Sequence, residues 1–116
     1  MDKAHYAVLI PAEGAARPQA IDLTGDVFAE LQDLVGGYIE TYRTRSSGKH
    51  ILICNEEGKL RHLPVNEAAT YLFMQNACDY FAGDVLLVED GGEDFAYYTY
   101  SDALDIAETI NAACGL

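Results

Sequence analysis

The chain has no tryptophan, and beyond Arg61 it has no lysine or arginine at all. Seven basic residues against 19 acidic ones give a formal charge of −12. A generic nucleic-acid binder neutralises phosphates with Lys and Arg, so this balance excludes direct nucleic-acid binding. No apolar run approaches the roughly 18 residues that cross a bilayer. The apolar stretch from Ala7 to Pro11 is too short for a signal peptide. The expected compartment is therefore the cytoplasm, with no membrane partner. The three cysteines, Cys54, Cys78 and Cys114, are odd in number, widely spaced and lack a C-x-x-C pair. Reduced, mostly buried thiols are expected rather than a disulfide framework.

Catalytic and cofactor signatures are missing too. Neither G-x-x-x-x-G-K-[ST] nor G-x-G-x-x-G occurs. Nothing around Cys54, Cys78 or Ser101 resembles a nucleophile with its base. His50, Cys54 and His62 approach one another across an expected hairpin, but zinc ligands come in tighter pairs. The carboxylate-rich turn Glu89 to Asp94 lacks the twelve-residue EF-hand pattern. The reading is a protein without catalytic residues, metal or cofactor.

What is present is an uneven charge map. Five of the seven basic residues, Arg43, Arg45, Lys49, Lys59 and Arg61, lie within nineteen positions, with His50 and His62 beside them. Ten acids then run from Glu67 to Glu108 with no base among them. A basic middle and an acidic C-terminal half follow.

At 116 residues the chain fits one domain over residues 1–116, large enough for one core. Tyr6 to Ile10 reads as a strand stopped by Pro11, and Gln19 to Leu23 as a second strand paired with it. Thr24, Gly25 and Asp26 offer caps for a helix whose apolar stripe is Val27, Phe28, Leu31, Leu34 and Val35. Gly36 and Gly37 end it. Tyr38 to Arg43 reads as a strand, Arg45 to Lys49 as a turn around Gly48, and His50 to Cys54 as a strand. Asn55 to Gly58 reads as a hairpin turn with Gly58 at positive φ, and Lys59 to Leu63 as the returning strand. Asn66 caps a helix running to about Asn76. Asp84 to Glu89 and Phe95 to Tyr100 read as strands around a turn, and Ser101 caps a final helix. This order predicts an α+β fold with a mainly antiparallel sheet and about three helices.

Eight tyrosines are the remaining compositional signal. A tyrosine ring packs at core edges, interfaces and base-stacking pockets alike. Tyr38, Glu40 and Tyr42 fall on one face of the expected strand, and arginine suits phosphate or carboxylate. The candidate ligand-binding set is Tyr38, Glu40, Tyr42, Arg43, Arg45, Lys59, Arg61 and Asn66.

The segment Leu31-Gln32-Asp33-Leu34-Val35-Gly36-Gly37-Tyr38-Ile39-Glu40 resembles the opening signature of the DUF3846 family. So do Cys54-Asn55-Glu56-Glu57-Gly58-Lys59-Leu60 and Leu63-Pro64-Val65-Asn66-Glu67-Ala68-Ala69-Thr70, and Ala82-Gly83-Asp84-Val85-Leu86 is similar to its closing strand. The resemblance covers roughly Tyr6 to Tyr100. It implies a domain of unknown function found in phages and mobile elements of bacteria, hence a bacterial host cell and a counter-defence role. Two readings follow. One is a non-enzymatic homo-oligomer that sequesters a small anionic, nucleotide-derived ligand in the Arg- and Tyr-rich region. The other is an acidic interaction module, a nucleic-acid mimic that inhibits a host protein.

Overall fold

Three apolar runs, at Tyr6–Ile10, His50–Asn55 and Val85–Asp90, decide the architecture. None alternates apolar with polar, so each must be covered on both faces. The computed structural model, which describes residues 4–14, 16–43 and 50–115, places them side by side. The elements are β1 (Tyr6–Ile10), β2 (Gln19–Asp22), α1 (Val27–Val35), β3 (Ile39–Arg43), β4 (His50–Asn55), α2 (Glu67–Phe73), β5 (Val85–Asp90), β6 (Phe95–Ala96) and α3 (Tyr100–Ala113). The sheet order is β2-β1-β5-β4-β3, with β6 on the outer end of β5, and every pairing is antiparallel. The α+β expectation holds, with three helices and a six-stranded sheet.

Because side chains alternate across a strand, each central run feeds two cores. Ala7, Leu9, Ile51, Ile53, Leu86 and Val88 face α1, which presents Leu31 and Val35. Val8, Ile10, Leu52, Val85 and Leu87 face the other way, against Ala69 of α2 and Ala103, Ala107 and Ile110 of α3. The protein is thus three layers, with helices on both sides of an antiparallel sheet. No helix of the described residues is long and apolar enough to cross a membrane.

Caps and turns fix the corners. Asp26 caps α1 by accepting from the Ala29 N–H at 3.3 Å, and Gly36 ends it at φ 84°. Only a residue without Cβ takes that conformation cheaply. Asn66 caps α2, as its spacing predicts.

Five expectations are corrected. Lys59–Leu63 is no strand: residues 56–62 form successive turns, closed by hydrogen bonds such as Arg61 N–H to Glu57 O at 2.9 Å, with His62 at φ 55°. Gly58 is needed there for space rather than for positive φ, since a Cβ would meet the Ala82 carbonyl oxygen at 3.0 Å. The last strand stops at Ala96, and Thr99 rather than Ser101 caps α3, accepting from Asp102 N–H at 3.1 Å. Asn66's helix ends at Phe73, short of Asn76. The expected turn Arg45–Lys49 lies outside the described residues.

Candidate functional site

The basic hairpin anticipated from sequence is not one surface. Arg43 stands at the end of β3 and pairs with Asp90 at the end of β5. The Asp90 carboxyl is held below the ordinary carboxylate range, first by the Gly92 N–H and then by Arg43. Arg61 sits at the opposite end of β3. Its guanidinium donates to the Gly36 carbonyl at 2.9 Å and so completes the C-terminus of α1. Buried Asn55 does the same for the Val35 carbonyl at 3.1 Å. The strand carries five residues, so its two ends are about 13 Å apart. Tyr38, 69% exposed, borders a shallow groove with Gln32, Asp33, Gly37 and Glu57. Arg45 lies outside the described residues.

Glu40, Tyr42 and Lys59 do meet, in a cavity of about 290 Å³ beneath the turns that follow β4. The Tyr42 ring packs edge-on against Phe81, with centroids 5.2 Å apart, and its hydroxyl accepts from the Gln75 N–H at 3.0 Å. Lys59 pairs with Asp79 and lies 4.7 Å above the Tyr80 ring. That hydrogen bond raises the ammonium's pKa and lowers the carboxyl's. Glu40, Glu56 and Asp79 all line the cavity, so its carboxylates outnumber its single cation. Asp79, Tyr80 and Phe81 are among the members that sequence reading missed. They lie 20 positions or more from Lys59, and no local pattern announces them.

Asn66 is fully buried, and its side chain is spent on the fold. Its amide donates to Ile10 O at 2.8 Å and Gly83 O at 3.0 Å, and its oxygen accepts from Ala69 N–H at 3.0 Å.

The sulfur and imidazole groups are also dispersed. The Cys54 thiol is pushed up to about 11 by burial and then by Glu40, so no thiolate forms there at neutral pH. His50 Nδ1 lies 2.6 Å from the Tyr98 hydroxyl. His62 stands exposed in the turn. Among the described residues no three His, Cys, Asp or Glu side chains gather as metal ligands.

The acidic half is arranged differently. Asp102, Asp105 and Glu108 recur every third residue on α3 and are exposed, and among the described residues none of them pairs with a cation. Successive carboxylates are about 4.5 Å apart along the helix axis. Tyr100 and Leu104, 48% and 38% exposed, lie beside them one turn apart.

These features define a small three-layer α+β domain in which Arg43 and Lys59 are paired with carboxylates and the acids of α3 are open. The chain belongs to the DUF3846 family, described as a domain of unknown function, whose model matches residues 5–111. No curated protein and no solved structure matches the chain.

Proposed function

We propose that this protein is a non-catalytic interaction module that uses its acidic α3 surface to occupy a basic, nucleic-acid-handling surface on another protein. The observation behind it is how the charges are distributed. Arg43, Lys59 and Arg61 are each engaged within the chain, whereas Asp102, Asp105 and Glu108 are presented to solvent. The carboxylate spacing of about 4.5 Å is comparable to the roughly 3.4 Å rise per phosphate on one DNA strand. Tyr100 and Leu104 supply an apolar spot beside the acids, the arrangement of a protein interface with a polar rim. The phage and mobile-element setting implied by the resemblance makes a protein in the cytoplasm of a bacterial host the expected class of partner. The test is capture from bacterial lysate at low salt. Retention of a DNA- or RNA-handling protein, released by salt and by competing duplex DNA, supports the reading. Capture that is unaffected by replacing Asp102, Asp105 and Glu108 with their amides sinks it.

A second reading rests on the cavity shared by Glu40, Tyr42 and Lys59. Three aromatic rings, Tyr42, Tyr80 and Phe81, border it, and such rings accept a nucleobase. Sequestration of a small nucleotide-derived ligand, with a homo-oligomer closing the site, is the function it would serve. The excess of carboxylates there weighs against an anionic ligand. A thermal-shift panel of cyclic dinucleotides and ADP-ribose derivatives tests it, and no rise in melting temperature with any member counts against it.

A further inference from the structure

A further cavity lies away from the Glu40, Tyr42 and Lys59 site. It measures about 590 Å³ and opens between the loop after β1, the first turns of α2 and the last turn of α3. Its walls mix polar and apolar surface; the apolar part comes from Ile10 and Pro18, which are buried, and from Ala68 and Cys114, which are partly so. Two carboxylates, Glu13 and Glu67, stand on it. Among the described residues the walls carry no Lys, Arg or His. Arg17 lies between Ala16 and Pro18, which belong to the wall, but is exposed and is not part of it.

A second source of negative potential points the same way. α3 runs for 14 residues and ends at this cavity with Ala113 and Cys114, and its last turn holds no basic residue. The C-terminal end of a helix carries about half a negative charge on its unsatisfied carbonyls. Here no side chain of the helix offsets it. The exposed Tyr71 ring at the rim adds an aromatic face of the kind that attracts cations.

The walls are held in place by hydrogen bonds. Asn66 fixes the Ile10 carbonyl at 2.8 Å, and Asp84 accepts from the Ala12 N–H at 2.9 Å. A ligand therefore meets a site that is largely formed, in the size range of small-molecule pockets.

We propose that this cavity binds a small organic monocation, an ammonium group on an apolar body, with the ammonium between Glu13, Glu67 and the α3 C-terminus and the body against Ile10, Ala68 and Cys114. This site is separate from the α3 acidic face and does not depend on the reading given above.

The test uses three probes of one shape: 2-phenylethylammonium, 2-phenylethanol and 3-phenylpropanoate, each titrated into the full chain by NMR or calorimetry. The ammonium is expected to bind at least tenfold more tightly than the alcohol, and the carboxylate not to bind. The double variant Glu13→Gln/Glu67→Gln should bring the amine down to the affinity of the alcohol. Ala113→Phe should block both; Ala113 is exposed, so the variant should fold, as a melting curve without ligand verifies. Equal binding of amine and alcohol overturns the proposal, as does an amine affinity that stays above the alcohol's in Glu13→Gln/Glu67→Gln, amine binding that survives in Ala113→Phe, or no amine binding at millimolar concentration.

Discussion

Removing the Asn66 side chain should cost this domain more than removal of an ordinary surface cap. Asn66→Ala deletes three hydrogen bonds at a fully buried site. Loss of the cap on α2 costs about 1 kcal/mol. The Ile10 and Gly83 carbonyls each lose a buried donor, about 1 kcal/mol apiece. The small void adds under about 1 kcal/mol. The total is about 3–4 kcal/mol, a large share of the 5–15 kcal/mol typical of a folded domain. For 116 residues, unfolding entropy of about 2.1 cal/mol/K per residue turns this into a fall in Tm of about 12–16 °C. Urea unfolding followed by circular dichroism measures it. Asp26→Ala, at the exposed cap of α1, is the control and should cost at most about 1 kcal/mol. Asn66→Asp sharpens the test. It keeps the cap but turns a carboxylate oxygen towards two carbonyls. That raises the folded-state pKa of the new group above its unfolded value of about 3.9. Its stability relative to wild type is then highest at acid pH and is lost as pH rises. A cost below 1 kcal/mol for Asn66→Ala, or an Asn66→Asp penalty no larger at pH 7 than at pH 4.5, refutes the reasoning.

Three further outcomes are expected. Gly83→Ala should destabilise by about 1–2 kcal/mol in a thermal melt, because the residue sits at φ 83° and a Cβ would stand 2.9 Å from Leu63 Cδ1. In the native protein at pH 8 a thiol reagent should modify exposed Cys78 first and spare Cys54, whose thiol burial pushes up to about 11; mass spectrometry of digested fragments reports the order. Burial lowers the His50 pKa, with Glu89 opposing it, so the folded state resists protonation. The His50 contribution is therefore complete above pH 6.5 and lost as pH falls through the lowered value. The gap in Tm between wild type and His50→Gln should narrow on acidification, and a gap that widens contradicts the assignment.

Most of the fold was legible because strong local signals agree with the tertiary structure. Asp26, Gly36 and Asn66 mark helix ends by chemistry that acts within a few residues. The errors fall where long-range packing overrides local preference. Lys59–Leu63 has the composition of a strand, but Gly58 presses against the Ala82 carbonyl, and the chain turns instead of extending. Ser101 and Thr99 are equally good caps by type, and the isolated pairing of Tyr98 with Tyr6 sets the helix start two residues earlier. The candidate site was less legible. Arg43 and Asp90 are 47 positions apart, and Lys59 and Asp79 are 20 apart. Sequence shows a cluster of positive charge there but not the carboxylates that neutralise it. Asn66 was recognised as a cap, but its grip on Ile10 and Gly83, 56 and 17 positions away, has no local signature.

The sheet order carries a consequence for synthesis. β1 with β2 and β3 with β4 are neighbours in sequence, but both pairs meet only through β5, which starts at Val85, thirty positions after β4 ends at Asn55. A ribosome adding about 5–20 residues per second leaves the Ile51–Ile53 edge without its partner for seconds. During that interval the nascent chain holds two apolar hairpins and no keystone, open to pairing with a neighbouring copy. A chain released before Val85 would keep that state permanently, which makes premature termination a route to aggregation rather than to a smaller working domain.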